Sequence, residues 1–312
     1  MQEMTLGEIL EHMRMDRNIF KAQLCEGVCT ITALTRYEQD IRVPDKFVID
    51  CLLERLGKNA NKIEFIDTDE EFKMSMYRAQ IEKKFFHEEF LEMEELLKEY
   101  EGEIHHSENL HQQYICLKKG QLTAIYREYE DALELFHQAL SFTKREVIPE
   151  LGIEKKVLSD IEVEVLYHLA EIYLKTEEKE KAVFLFLELN EYLENLEKDD
   201  RKRIKYFPKV LLALAQEVIE NDNFGLAISY LEKAEKILIQ EYQTSNLEKM
   251  LRLQLEILEK TGAADREAEI KDKILALKLI GMTMEDGMIT KEGMELWENT
   301  ANLRLSSIQE NI

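Results

Sequence analysis

The chain has 312 residues, is 45% hydrophobic and 34% charged, and carries only 11 Gly and 3 Pro. So few turn-forming residues exclude many-stranded sandwiches and barrels, while the apolar fraction is enough to bury a core. The net charge of −23 is unevenly placed: residues 1–66 hold 9 Lys and Arg against 11 Asp and Glu, and residues 67–312 hold 32 against 53. A body this acidic repels nucleic acid and anionic membrane, so any contact with DNA must come from the nearly neutral first part. No secretory pattern opens the chain and no run of about 18 apolar residues can span a bilayer, so a cytoplasmic location without membrane contact is expected. In that setting Cys25, Cys29, Cys51 and Cys116 are expected as reduced thiols, and nothing completes a zinc spacing around Cys25 and Cys29.

Residues 5–57 read as about five short helices. Leu6, Ile9, Leu10 and Met13 share one face of a helix over Leu6 to Met15. A second helix runs from Phe20 to Glu26, a turn follows at Gly27-Val28, and a third spans Thr30 to Gln39 with Thr30 as its N-cap. Pro44 is expected at the first position of the next helix, and Gly57 at the C-terminal cap of helices around Phe47 to Leu56. Two helices joined at a glycine are a helix-turn-helix pattern. The strings Leu24-Cys25-Glu26-Gly27-Val28, Leu34-Thr35-Arg36-Tyr37-Glu38 and Arg42-Val43-Pro44, closed by Cys51 to Asn59, resemble the phage-repressor-like (XRE/Cro type) helix-turn-helix family. That resemblance implies double-stranded DNA as a partner. The third helix would enter the major groove with Ile31, Thr32, Thr35 and Arg36 at base edges, and its N-cap Thr30 is a further DNA-binding candidate. Lys21, Arg42 and Lys46 would touch phosphate, and Arg14 with Glu38 would form a buried pair tying the first helix to the third. Two positions depart from the family's pattern: Phe20-Lys21 stands where Ser-Gln usually opens the second helix, and Asp40 where Gly is common.

From Asp69 onward the chain reads as paired amphipathic helices, at about 69–84 with 87–101, 107–126 with 130–145, 160–175 with 179–196, 206–220 with 224–241, and 246–260 with 264–280. A last helix near 291–305, with Met294, Trp297 and Leu305 on its partner face, would cap the array. Tyr126 to Leu133, followed by Phe136, Ala139 and Leu140, resembles the tetratricopeptide signature, and the pattern recurs around Ala182 and Ala227. Charged runs such as Glu177 to Lys181 and Glu197 to Arg203 are expected as solvated turns. Stacked pairs of this kind present a concave surface lined by the first helix of each pair. Gln113, Tyr114, Gln121, His168, Glu171, Lys209, Gln216 and Arg252 are the polar candidates there for holding a short peptide.

The expected architecture is therefore all-α: a five-helix helix-turn-helix domain over 1–66, then a tetratricopeptide-like α-solenoid over 67–312. That order of domains resembles the RRNPP (Rgg/PlcR/PrgX-like) peptide-responsive transcription regulators. It implies a homodimer that binds an operator and is switched by a short signalling peptide, as in quorum sensing. The alternative is an adaptor or inhibitor that holds a protein partner in the repeat concavity without binding DNA, and the departures at Phe20 and Asp40 favour it. The chain has no Gly-rich phosphate loop, serine-elbow motif or metal-ligand spacing, so neither enzymatic activity nor a cofactor is expected. His105, His106 and His111, near Glu101, Glu103 and Glu108, are expected in a solvated inter-helix turn.

Overall fold

A computed structural model describes residues 5–58, 68–104, 108–144, 153, 157–240, 244–262 and 267–282. These residues form fourteen α-helices and no strand. They divide into two compact units, residues 1–210 and 211–312. The expected helix near 291–305 lies outside the described residues, as do His105 and His106.

The first unit opens with α1 (Leu6–Asp16), α2 (Lys21–Cys25), α3 (Ile31–Glu38) and α4 (Lys46–Arg55). Leu10, Leu24, Leu34, Ile49, Leu52 and Leu56 close a common core between them. Polar caps set the helix starts. The Thr5 hydroxyl accepts from Glu8 N, Thr30 from Ala33 N, and the Asp45 carboxylate from Val48 N. Two expectations need correction. The region holds four helices where five were expected, because residues 46–55 run as one uninterrupted helix. Pro44 does not start that helix, since Asp45 is the better capping residue and takes the N-cap, leaving Pro44 buried just outside. Gly57 ends α4 in the left-handed region at φ +67, as expected.

Behind these helices come three antiparallel pairs, α5 (Asp69–Phe86) with α6 (Phe90–Glu103), α7 (Asn109–Ile125) with α8 (Tyr129–Thr143), and α9 (Asp160–Lys175) with α10 (Lys179–Glu194). The start of α11 (Arg201–Glu220) belongs to the same unit. All three intra-pair turns are built alike, with one non-glycine residue in the left-handed region: Glu88, Arg127 and Glu177. Each is followed by an N–H that reaches back to the preceding helix: Glu89 to Lys84 O, Glu128 to Thr123 O, and Glu178 to Tyr173 O, each at 3.0 Å. These are Schellman closures, which satisfy carbonyls that the helix end would otherwise orphan. Ala132 and Ala182 are fully buried where the helices of a pair approach.

A buried ionic seam fastens the four-helix bundle to the pairs. Arg55 and Glu162 are both fully buried, with Nη2 2.6 Å from Oε1. The other oxygen of Glu162 accepts from Ser159 N at 2.7 Å, so this residue also closes the capping box of α9. Burial alone would raise the Glu162 carboxyl, but Arg55 and Lys144 outweigh it and hold the carboxyl at about 2. Lys144 donates to Glu26 at 3.2 Å and to the Val157 carbonyl at 2.9 Å. Asn109 donates to the Gly27 carbonyl at 3.0 Å. Gly27 has φ +68, and a Cβ there would lie 2.3 Å from the Thr143 backbone, so only glycine fits this turn against the end of α8. The run Glu197 to Arg203 is not simply a solvated turn. Asp200 and Lys202 are 1% exposed, because the Lys202 ammonium reaches the Glu54 carbonyl and α11 already begins at Arg201.

The second unit contains the rest of α11, then α12 (Phe224–Gln240), α13 (Thr244–Thr261) and α14 (Glu267–Met282). Ala227, Leu231, Ala234 and Leu238 form the buried stripe of α12. Asp222 occupies the left-handed turn position between α11 and α12, and Asn223 N closes it on Val218 O at 2.9 Å. Most of these helices follow the same two rules, an apolar stripe at helical spacing and a polar or left-handed stop, as α1, α4, α5, α7, α9 and α11 show. The short α2 is fixed instead by its turn and by packing.

Candidate nucleic-acid interface and ligand groove

In α3 the apolar positions Leu34 and Tyr37 and the carboxylate of Glu38 turn inward. Thr30, Ile31, Thr32 and Arg36 are exposed, and Thr35 is half-buried beside them. The predicted reading residues therefore share one outward stripe. Arg14 anchors the helix behind that stripe. Its Nε donates to Glu38 Oε1 at 2.6 Å and its Nη2 to Oε2 at 3.2 Å, forming the expected buried pair between α1 and α3. Burial would raise Glu38, but Arg14 and Lys21 together hold its carboxyl below the usual value.

The expected phosphate contacts divide. Arg42 is exposed just after α3. Lys21 instead lies 2.7 Å from Glu38 and donates to Thr35 Oγ1 at 3.2 Å. The Lys46 ammonium is held by Asp50 within its own helix, and its backbone N–H donates to Glu71 at 3.2 Å. The two departures from the helix-turn-helix pattern have local explanations. Gln23 Oε1 accepts from Phe20 N at 2.9 Å, supplying half of a capping box where Phe20 has no capping atom. Asp40 adopts φ +54, and its carboxylate accepts from Gly7 N at 3.0 Å and from the Thr5 hydroxyl, so it caps α1 from across the domain.

The first helices of successive pairs carry a continuous polar ladder within the first unit. The Tyr114 hydroxyl donates to Glu82 at 3.0 Å, and Lys118, 2% exposed, lies 2.8 Å from Glu82 and 3.7 Å from Glu164. Gln121 Nε2 donates to Glu164 at 2.8 Å and lies 2.9 Å from His168 Nε2. His168 Nδ1 is 3.0 Å from Glu171, which fits a tautomer protonated at Nδ1 with Nε2 accepting from Gln121. Glu171 also accepts from the Tyr167 hydroxyl at 2.8 Å. Lys205 pairs with Glu164 at 2.9 Å, the Tyr206 hydroxyl donates to the same carboxylate, and Lys209 stands 5.6 Å above the rings of both Tyr167 and Tyr206. Burial would raise Glu164, yet Lys118 and Lys205 keep it well below the usual carboxylate range.

Five of the predicted groove residues, Tyr114, Gln121, His168, Glu171 and Lys209, belong to this ladder. Gln113 does not: it is fully buried, and its amide donates to Thr143 at 2.6 Å, tying α7 to α8. Gln216 and Arg252 lie in the second unit. Gln216 is half-buried on α11, and exposed Arg252 pairs with Glu248 one turn earlier at 3.0 Å. Glu82, Lys118, Glu164, Lys205 and Tyr206 escaped the sequence reading. Lys118, Glu164 and Lys205 lie one helical turn before Gln121, His168 and Lys209, so extending each candidate by three or four positions finds them.

His111 is not in a turn. It lies within α7, with Nδ1 2.6 Å from the Tyr100 hydroxyl and its ring edge-on to Phe47 at 5.0 Å. Burial lowers its pKa to about 4, so it remains a neutral packing residue. Among the described residues no three His, Cys, Asp or Glu side chains are placed to share a metal ion. Burial pushes the Cys29 and Cys51 thiols up to about 12 and Cys116 to about 11, far from a reactive thiolate. No described helix is long and apolar enough to cross a membrane.

No family model and no curated protein matches the chain in sequence. In structure it is similar to Bacillus thuringiensis PlcR, solved in complex with the peptide PapR7 and DNA, with 16% identity over 98% of each chain and a TM-score of 0.54. The chain shares the fold of PlcR. The apo form of the competence regulator ComR from Streptococcus vestibularis matches at 15% identity, over 95% of this chain and 97% of that one, with a TM-score of 0.46. The all-α fold expected from the sequence, short helices at the N-terminus followed by tetratricopeptide-like helix pairs, is the fold of the described residues.

Proposed function

We propose that this chain is a cytoplasmic, non-enzymatic transcription regulator that binds operator DNA through residues 1–66 and a short signalling peptide through residues 67–312, and that it works as a homodimer. The observation that carries this reading is the joining, in one unit, of an exposed α3 stripe with a polar ladder on the first helices of the pairs. A helix held by a buried pair at its back and exposed along Thr30, Ile31, Thr32 and Arg36 is shaped to enter a major groove. A ladder of amide, hydroxyl and charged groups along Tyr114, Gln121, His168, Glu171 and Lys209 is suited to hold the backbone and termini of an extended peptide. The fold likeness to PlcR, a protein solved with both a peptide and DNA, supports the same pairing of partners here.

The test is binding to DNA flanking the chain's own gene, measured across salt concentrations, with and without Thr32→Ala plus Arg36→Ala. Salt-sensitive binding lost in the double variant supports the regulator. Absence of binding to any fragment at low salt, with a panel of short synthetic peptides failing to restore it, refutes it and leaves the adaptor. The internal use of Lys21 by Glu38 is the observation that favours that second reading.

A further inference from the structure

Two of the three hydroxyl groups of the α3 stripe form hydrogen bonds within the protein, and that of Thr35 gives its proton there. Thr30 Oγ1 accepts from Ala33 N at 3.1 Å as the helix cap. Thr35 Oγ1 donates its one proton to the Ile31 carbonyl at 2.9 Å and accepts from Lys21 Nζ at 3.2 Å. A threonine whose hydroxyl is folded back on its own helix has no proton left to give a base and keeps a methyl group at the surface. Ile31, one turn earlier on the same line, is 53% exposed. Around them Phe20, Ile41 and Val43 are also more than half exposed. An exposed apolar line on the helix of a charge-rich chain calls for an apolar partner, and the major groove offers one such group, the thymine 5-methyl.

We propose that α3 selects its site chiefly by the thymine methyl groups that Ile31 and the Thr35 methyl meet, with Arg36 contributing the cationic donor of the stripe. This rests on the DNA-binding reading and adds to it the chemistry of the site: a duplex with thymines at the two positions facing Ile31 and Thr35. Lys21 is then a positioning residue. It holds the Thr35 hydroxyl from behind while its own charge is spent on Glu38. Removing one buried methyl is worth about four-fold in affinity.

The experiment selects binding sites with the full chain from a duplex pool randomised over about two helical turns. Each thymine of the selected site is then replaced by deoxyuridine, which removes only the methyl. Loss of about four-fold at particular thymines is expected for the wild type. Ile31→Ala should abolish the loss at one position and Thr35→Ser at another, although serine keeps the hydroxyl and both of its hydrogen bonds. Thr35→Val, which keeps the methyl and discards the hydroxyl, should still discriminate. If the selected sites tolerate deoxyuridine throughout, or if Thr35→Ser reads thymine and Thr35→Val does not, methyl recognition is wrong while DNA binding stands. If no sequence is enriched, with or without the panel of short synthetic peptides, the DNA-binding reading itself falls.

Discussion

Arg55→Met tests whether the buried seam between the four-helix bundle and the helix pairs is electrostatic. Both partners are fully buried, so removing the guanidinium leaves the Glu162 carboxylate in a site built for an ion pair, with Lys144, 4.0 Å away, and the Ser159 N–H at 2.7 Å to offset it. A carboxyl that ionises near pH 2 instead of 4.5 is worth about 3 kcal/mol to the folded chain at neutral pH. Breaking a buried pair by losing one partner costs roughly 3–5 kcal/mol, the same range. The folded value lies below the unfolded one, so in the wild type this contribution is complete above about pH 4.5 and is lost as pH falls toward 2. In Arg55→Met the sign reverses, because burial without its main partner raises the carboxyl, and stability should improve as pH drops from neutral toward 5. Urea unfolding followed by far-ultraviolet circular dichroism at several pH values measures both. The double variant Arg55→Met, Glu162→Leu should recover most of the loss. A cost below about 1 kcal/mol, or no gain in the single variant at lower pH, would show that the seam is held by shape instead.

Gly27→Ala should cost more than about 2 kcal/mol in the same assay, since it combines a left-handed φ with a 2.3 Å overlap on Thr143; a near-neutral result would mean that the turn does not pack on α8. Glu177→Gly should stabilise by about 1 kcal/mol, because a non-glycine residue holds the left-handed turn at φ +62, and a loss of stability would contradict that geometry. Burial and the neighbouring Asp160 raise the Glu54 carboxyl to about 8. The folded chain therefore holds that proton more tightly than the unfolded one, and stability declines as pH climbs from about 4.5 through 8. Glu54→Gln should flatten the melting temperature across that window, and an unchanged pH profile would refute the assignment.

The helices were legible because their cause is local. Alternating stripes such as Leu6, Ile9, Leu10 and Met13 fix a face, and Thr30 or Gly57 fixes an end. The repeat turns were legible in place but not in conformation. Glu88, Arg127 and Glu177 are poor candidates for left-handed backbone by composition, and it is the Schellman hydrogen bonds that hold them there. What stayed hidden is burial produced by distant chain. Lys202 reads as one more charge in a solvated run until the Glu54 carbonyl, far earlier in the sequence, arrives to accept from it. Gln113 reads as a groove residue until Thr143 takes its amide. The candidate stripe on α3 was visible as residues, whereas the commitment of the Thr35 hydroxyl required the position of Lys21.

The charge distribution constrains how such a domain would hold DNA. Six cations of the bundle are occupied within the chain: Arg14 and Lys21 by Glu38, Lys46 by Asp50, Arg55 by Glu162, and Arg17 and Lys58 by Glu197. Arg36 and Arg42 are exposed and form no ion pair among the described residues. Each phosphate neutralised contributes about −0.9 to the slope of log affinity against log salt, so these two cations of the described residues would contribute only about −2 per copy. That is shallow for a protein whose remaining residues carry most of the −23 charge and oppose the approach. Two copies on two half-sites would double the electrostatic term and add a second set of base contacts without adding a cation to either chain. Under the DNA-binding proposal, the internal pairing of Lys21 and Lys46 would leave base recognition by α3, more than phosphate attraction, to carry the affinity, and a second copy would supply the electrostatic contribution that one copy lacks.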